Sequence, residues 1–199
     1  MRAGFLLALG LCGVLALTAP MQPAKAADDA GSFIAQTADK VLKLARNTTI
    51  SDAELKRQLH VVADQDFDAP RIAQFVLGRY WRTASDAQRQ QFVAAFENYM
   101  VQVYASRFRQ YSGAQFKVVG DREQSNGAMV TTEIERANEE PARVIWQLAK
   151  TPNGYKITDV SIEGISQAVT YRQEFQSVIE QNNGEISALI QQLQQKANG

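Results

Sequence analysis

The chain has 199 residues, and its 21 basic and 21 acidic side chains balance to a formal net charge of zero at pH 7. This balance argues against nucleic-acid binding and against strong electrostatic adhesion to anionic membranes, since both depend on an excess of positive charge. The length allows one domain with a sizeable core.

The N-terminus has the parts of a secretory signal peptide. A short positive segment, Met1-Arg2, precedes an apolar stretch over residues 4–17, and Ala24-Lys25-Ala26 is a small-x-small cleavage site. The apolar stretch is shorter than the about 20 residues that span a membrane. We therefore predict a cleavable signal peptide, residues 1–26, and a periplasmic protein.

Cleavage leaves a single predicted domain, residues 27–199. It removes the only cysteine, Cys12, so the domain must be stabilised by packing without disulfides. It also removes Arg2 and Lys25 but no acidic residue, which gives the domain a net charge of −2.

Helical periodicity and capping residues predict four helices at the start of this domain. Ser51-x-x-Glu54 and Ser85-x-x-Gln88 are capping boxes that open the second and fourth helices. Asp68 caps the third, whose Pro70 stands in the first turn, where a missing N–H costs nothing. The predicted spans are 28–46, 51–63, 68–78 and 85–111.

The fourth helix carries a large apolar side chain every four residues. Because four residues turn about 400°, this row drifts by about 40° per step and winds around the helix. We therefore predict that the helix is covered on more than one side. The row is Phe92, Phe96, Met100, Tyr104 and Phe108.

The periodicity then changes to two, which predicts an antiparallel meander of four strands with one covered face. Asn126-Gly127 is typical of a hairpin turn. In the last strand, Ile157 and Val160 are out of phase, so we expect a bulge or bend. Two closing helices complete an α+β fold. The strands are predicted at 116–120, 128–136, 143–150 and 155–162, and the helices at 166–180 and 185–197.

Two blocks of sequence carry a family resemblance. The first is Val76-Leu77-Gly78-Arg79-Tyr80-Trp81 with Ser85-x-x-Gln88-Arg89, and the second is Val160-Ser161-Ile162-Glu163-Gly164-Ile165-Ser166 with Thr170-Tyr171-Arg172-Gln173-Glu174-Phe175. Over roughly residues 60–193, the chain resembles the MlaC or toluene-tolerance family, soluble periplasmic proteins that carry phospholipids between the two membranes of Gram-negative bacteria.

The resemblance implies an NTF2-like cone, in which helices wrap a curved four-stranded sheet around an apolar cavity for acyl chains. It implies no catalysis and no cofactor, with bound lipid as cargo. The implied partners are an inner-membrane ABC transporter with a substrate-binding ring and an outer-membrane lipoprotein–porin complex, which together maintain outer-membrane lipid asymmetry.

The implied site has an apolar wall and a polar mouth. Arg79 and Arg172 are the candidates to meet a headgroup phosphate, because a guanidinium suits bidentate phosphate contact. A solvated surface position is the alternative for both. The predicted wall residues are Phe75, Phe96, Met100, Tyr104, Val130, Ile134, Trp146, Leu148, Ile157, Val169 and Phe175.

Two alternatives concern the cavity. The segment 178–189 resembles the branch of the family associated with hopanoid biosynthesis, so a carrier of hopanoids or other apolar small molecules on the same fold stays open. Periodicity does not separate a lined cavity from a filled core, so an interaction module or chaperone with an exposed patch also stays open.

The sequence contains no complete motif for a catalytic site or a metal site. Asp64-x-Asp66-x-Asp68 begins like a calcium loop, but Ala69 stands where glycine is needed. His60 is the only histidine, and we predict a structural role for it instead of zinc or catalytic chemistry. A small-molecule enzyme on a cone-like sheet would use Asp159 as acid or base, whereas the simpler prediction for Asp159 is an outward-facing strand residue.

Overall fold

The computed structural model describes residues 29–198. The predicted signal peptide, residues 1–26, lies outside this part of the chain, and so do the first two residues and the last residue of the predicted domain. Among the described residues, no helix has the length and apolar character needed to cross a membrane.

The four predicted helices are confirmed, and each begins at the predicted cap or close to it. The Ser85 box is complete: Ser85 Oγ accepts from the Gln88 N–H at 3.2 Å, and Gln88 Oε1 accepts from the Ser85 N–H at 3.0 Å. The predicted capping box at Ser51 is half formed. Ser51 Oγ accepts from the Glu54 N–H, but the Glu54 carboxylate binds Arg57 instead of the Ser51 N–H. The helices are α1 (Ala30–Arg46), α2 (Asp52–Asp66), α3 (Ala69–Leu77), the unpredicted short α4 (Tyr80–Thr83) and α5 (Asp86–Phe108).

The sheet has five antiparallel strands in sequence order, so the predicted four-stranded meander is one strand short. The extra strand has only two residues and follows a tight turn in which Glu163 (φ 48°) and Gly164 (φ 80°) take left-handed conformations. The strands are β1 (Gln115–Gln124), β2 (Gly127–Glu135), β3 (Ala142–Thr151), β4 (Gly154–Ile162) and β5 (Ile165–Ser166).

The predicted bulge in β4 is confirmed. Leu148 pairs with Ile157 and Gln147 pairs with Asp159, so Thr158 is the extra residue. The bulge restores the phase of the strand, because Val160 then pairs with Trp146 on the same face as Ile157. The closing helices are α6 (Gln167–Gln181) and α7 (Ile186–Asn198), which packs along α5.

The buried apolar side chains form three separate clusters. The helical cluster joins α3, α5, α6 and α7 and includes Phe92, Phe96 and Phe175. The sheet cluster joins α1 to one face of the sheet and includes Val130, Leu148 and Ile157. The α1–α2 cluster includes Leu55, Leu59, Val101 and Phe108. Because α5 contributes to the helical and the α1–α2 clusters, its predicted coverage on more than one side is confirmed.

Candidate functional site

The sheet and the helical bundle meet without a common core. Within residues 29–198, no strand residue belongs to the helical cluster, and no residue of α5, α6 or α7 belongs to the sheet cluster. A domain of this size ordinarily has one contiguous core with small satellites. The boundary between these two clusters is therefore the candidate site, which we call the candidate cleft. We define it by Tyr104 and Tyr171 on the helices and Ile134 and Trp146 on the sheet.

Tyr104 lies in a concave part of the surface. Its side chain is 45% exposed, yet burial is the largest cause that raises its pKa above the ordinary tyrosine value. The two observations agree if the side chain borders open space while protein surrounds its hydroxyl, as in a cleft. The negative charge of Asp159 in β4 also raises this pKa slightly, so the hydroxyl lies on the side of the bundle that approaches β4.

Tyr171 packs its ring into the helical cluster beside Tyr104. The Tyr171 ring centroid lies 6.1 Å from that of Phe96 and 5.6 Å from that of Phe175. Burial raises the pKa of Tyr171, and the neighbouring Tyr104 raises it further, while the positive charge of Arg107 opposes both. At neutral pH, both hydroxyls are thus protonated, and they lie close enough to interact with each other.

The sheet side of the cleft consists of half-buried side chains on the face that α1 covers. Trp146 contacts the edge of the Phe116 ring, and its indole N–H donates to Thr132 Oγ1 at 2.9 Å. Ile134 lies on the same face, at the position paired with Ala142, and is half-buried outside the three clusters. These residues are apolar, with their single indole N–H already satisfied inside the sheet.

The predicted wall residues separate into three groups in the structure. Those in the sheet cluster are Val130, Leu148, Ile157 and, at its edge, Trp146. Those in the helical cluster are Phe96, Phe175 and, at its edge, Met100. Those outside the clusters are Phe75, Tyr104, Ile134 and Val169, of which Phe75 and Val169 are each 42% exposed. The assignment of the whole set to a lipid-contacting wall stays a prediction.

Arg79 and Arg172 lie together in a separate groove of about 340 Å³ between α3, α4 and α6, which we call the arginine groove. The Arg172 guanidinium lies 5.0 Å from the centroid of the Phe75 ring. Arg79 donates to Glu180 Oε1 at 2.6 Å. The other residues along the groove are Gln74, Gly78, Trp81 and Arg82.

Gly78 allows α3 and α6 to approach each other at this groove. Its φ of 59° and ψ of −125° are accessible in practice only to glycine. A β-carbon there would overlap the Gln176 amide and would lie 3.2 Å from Arg172 Nε. The backbone conformation therefore requires glycine, whereas the Gln176 amide is the end of a flexible side chain that can move aside.

Asp159 is a structural cap. Its carboxylate accepts from the N–H of Val160 at 2.8 Å, the N–H of Ala168 at 3.0 Å and the Ser166 hydroxyl at 2.6 Å. The register places Asp159 opposite Gln147, on the face away from the sheet cluster, but its side chain caps the start of α6 instead of projecting into solvent as predicted. All three bonds come from donors of the protein itself, which accounts for the carboxylate without catalysis.

Asp66 and Asp68 also have structural partners, and His60 lines a groove. Asp66 is 3% exposed and accepts from Lys40 Nζ at 3.1 Å and Thr37 Oγ1 at 2.8 Å, and Asp68 caps α3. His60 is half-buried beside Lys56 and Gln102 in a polar groove of about 280 Å³ between α2, α5 and α7.

Tyr171 and Arg107 are the cleft residues that sequence reasoning missed. Tyr171 stands inside the second family block, but its contact with Tyr104 joins positions 67 residues apart, which no local pattern indicates. Arg107 is one of two arginines near the end of α5, and only its effect on both tyrosines distinguishes it.

Comparison with known proteins finds a matching family model and a similar solved structure. The family model described as MlaC protein matches residues 35–195. A similar solved structure is that of a phospholipid-binding protein from Ralstonia solanacearum in complex with a phospholipid. It superposes with a TM-score of 0.74 at 24% sequence identity, covering 85% of this chain and 97% of that one. At this identity, the match establishes the shared α+β fold.

Proposed function

This chain belongs to the MlaC family, and on that basis we propose that it is a carrier that binds phospholipid and moves it through an aqueous compartment. The observation that carries the proposal is the division between the sheet cluster and the helical cluster, with the accessible Tyr104 at their boundary. The similarly folded Ralstonia protein holds a phospholipid, which supports the same class of cargo here.

The energetics of lipid hydration explain why such a carrier is needed. Each methylene group exposed to water costs about 0.8 kcal/mol, so two acyl chains with about 30 methylenes cost on the order of 20 kcal/mol. A protein that covers those chains offsets most of this cost without covalent chemistry. The same magnitude makes unaided release slow, so unloading requires a partner that binds the open state of the cleft better than the loaded one.

We place the acyl chains in the candidate cleft, between Trp146 and Ile134 of the sheet and the α5–α6 side of the helical bundle. Ile134 and Trp146 are half-buried apolar side chains, and neither cluster extends across the boundary. The hydroxyls of Tyr104 and Tyr171, with the Arg107 charge nearby, are the polar groups at this boundary, and we assign them to the polar end of the cargo. The sequence-based assignment of the headgroup to Arg79 and Arg172 stays a prediction.

The cellular setting follows from the family. We propose that the chain is exported by its predicted signal peptide and works in the periplasm between the two membranes. In that role it would be the soluble component of an ABC transport system. It would exchange lipid with an inner-membrane transporter that bears a substrate-binding ring and with an outer-membrane lipoprotein–porin complex.

A hopanoid or another apolar small molecule is the alternative cargo. The segment that suggested it lies at the junction of α6 and α7, where Ile179, Ile186 and Leu189 are buried in the helical cluster. These residues belong to the buried core, and none of them is among the residues that define the cleft. Since the segment does not shape the cargo site, it favours neither cargo, and we retain phospholipid.

Lipid extraction tests this proposal. The protein, purified from its periplasmic fraction without added lipid or detergent, is extracted with organic solvent, and the extract is analysed by mass spectrometry. We expect phospholipid in a fixed ratio to protein. Hopanoid in that ratio would support the alternative cargo, and repeated recovery of lipid-free folded protein would contradict a carrier of either kind.

A further inference from the structure

We infer that the arginine groove is a contact surface for anionic phospholipid bilayers, separate from the candidate cleft that holds the cargo. The inference rests on the proposed function, because a carrier that loads and unloads lipid works close to membranes. It concerns a different part of the molecule, however, and its test is independent of cargo binding. The groove is formed by α3, α4 and α6, and its guanidinium groups belong to Arg79, Arg82 and Arg172.

The charge of this surface is largely uncompensated. Arg79 pairs with Glu180, but among the ion pairs within residues 29–198 none includes Arg82 or Arg172. Arg71 is exposed four residues before Phe75, on the same side of α3, and also takes part in none of those ion pairs. A local excess of guanidinium groups in a nearly neutral protein is a specific feature of this surface.

Aromatic side chains accompany the arginines. The Phe75 side chain is 42% exposed although it lies directly under the Arg172 guanidinium, and Trp81 is half-buried at the other side of the groove. Exposed aromatic rings next to cationic side chains are typical of surfaces at the membrane–water interface, where the ring meets the lipid boundary and the cation meets phosphate.

A bilayer fits this arrangement better than the phosphate of a single cargo molecule. One phosphodiester carries one negative charge, whereas Arg71, Arg82 and Arg172 lie on three different helices, with Arg71 and Arg82 exposed and Arg172 partly exposed. Several phosphates at the spacing of a lipid surface can each meet one of them. The near-zero net charge of the protein keeps the attachment weak and reversible, as loading and release require.

Vesicle sedimentation tests the inference with the full mature protein. Binding is measured to vesicles of pure phosphatidylglycerol and of pure phosphatidylcholine, at low and at high salt. The variants are Arg71→Gln and Arg82→Gln, which are not assigned to the cargo. The matched control is Arg122→Gln, which removes an exposed arginine of β1 that also takes part in none of the described ion pairs.

We expect binding to phosphatidylglycerol vesicles only, weakened by salt, and lowered about fivefold by Arg71→Gln and by Arg82→Gln but unchanged by the control. Equal binding to phosphatidylcholine, or equal loss in the Arg122→Gln protein, would overturn the inference. If polyglutamate, added at the same total negative charge as the vesicles, displaced all of the protein from them, the inference would be overturned in favour of an acidic protein partner. If Arg82→Gln lost its co-purified lipid, the groove would be part of the cargo site and the inference would be overturned. If the wild-type protein were lipid-free but still bound these vesicles, the proposed carrier function would be refuted and the membrane-contact surface would stand.

Discussion

The carboxylate of Asp159 accepts a hydrogen bond of 2.6 Å from the hydroxyl of Ser166, and this bond ties the bulged strand β4 to the first turn of α6. Ser166 in turn accepts from the N–H of Val169 at 3.1 Å, so the two side chains form a double cap. The link fixes where α6, with Tyr171 and Phe175, lies relative to the sheet. The position of one side of the cleft therefore depends on this cap.

Removing the cap carboxylate should destabilise the protein without abolishing any chemistry. Asp159→Ala leaves the Ala168 N–H and the Ser166 hydroxyl without their acceptor, so we expect the free energy of unfolding to fall by about 2 kcal/mol in urea denaturation. Asp39→Ala is the control, since it breaks only the exposed ion pair with Lys43 and should cost less than about 0.5 kcal/mol. Equal losses in the two variants would refute the cap.

The buried and the accessible aromatic side chains should respond differently to truncation. Phe175 is 1% exposed and packs edge-on against Phe92 and Phe96, so Phe175→Ala should lower the free energy of unfolding by about 3–5 kcal/mol. Tyr104→Ala removes a side chain that already borders open space and should cost about 1 kcal/mol or less. Similar losses, measured by the same urea titration, would mean that Tyr104 belongs to a filled core.

Gly78 should tolerate no side chain. We expect Gly78→Ala to lower the free energy of unfolding by about 1–3 kcal/mol, because it adds backbone strain at φ 59° and a clash with Gln176. Gly113→Ala is the matched control: a β-carbon at that position would have no atom within 4 Å, and the φ of Gly113 is not positive. The control should be neutral or slightly stabilising, and a neutral Gly78→Ala would contradict the positive-φ backbone conformation of Gly78.

Tyr155 should make stability fall at high pH. Its hydroxyl donates to Glu123 Oε1 at 2.6 Å, and this bond, with burial, raises the pKa of Tyr155 to about 12 from the ordinary tyrosine value of 10.0. A pKa raised on folding means that the folded state holds the proton more tightly than the unfolded state does. The Tyr155 hydroxyl therefore makes its full contribution to the free energy of unfolding below pH 10, and this contribution is lost as pH rises towards 12.

The test compares wild type with Tyr155→Phe. Urea titrations at about pH 9 and about pH 11 should show a larger loss of unfolding free energy in the wild type, because Tyr155→Phe has no hydroxyl to ionise. The other tyrosines and the lysines titrate in both proteins and cancel in the comparison. Parallel losses in the two proteins would show that the bond to Glu123 does not affect folding.

Much of the fold is predictable because its signals are local. The caps at Ser85 and Asp68 and the bulge after Ile157 each depend on a few adjacent residues, and the structure contains all three. The hairpin is also present, but its turn residues are Ser125 and Asn126, one position before the predicted Asn126-Gly127, because Gly127 already pairs with Gln124. The fifth strand escapes prediction because two residues show no periodicity. It depends on the left-handed turn at Glu163, which is a conformation that sequence seldom indicates for a residue other than glycine.

The candidate site is harder to predict because exposure depends on tertiary packing. Phe75 and Phe175 are the same residue type at helical positions, and the sequence predicts that both line the cavity. The structure buries Phe175 among aromatic rings and leaves Phe75 under Arg172 at the surface. Similarly, Tyr104 and Tyr171 become neighbours only when aromatic side chains of α6 pack against those of α5, a long-range contact that helical spacing does not encode.

A photoactivatable phospholipid with its reactive group near the end of an acyl chain tests the central claim most directly. After loading and irradiation of the mature protein, peptide mass spectrometry locates the adducts. Acyl chains held between the two apolar clusters should label both walls, near Ile134 or Trp146 on the sheet and near Tyr104 on α5. Labelling confined to the arginine groove around Phe75, or no labelling of folded protein, would contradict a lipid-binding cleft between sheet and helices.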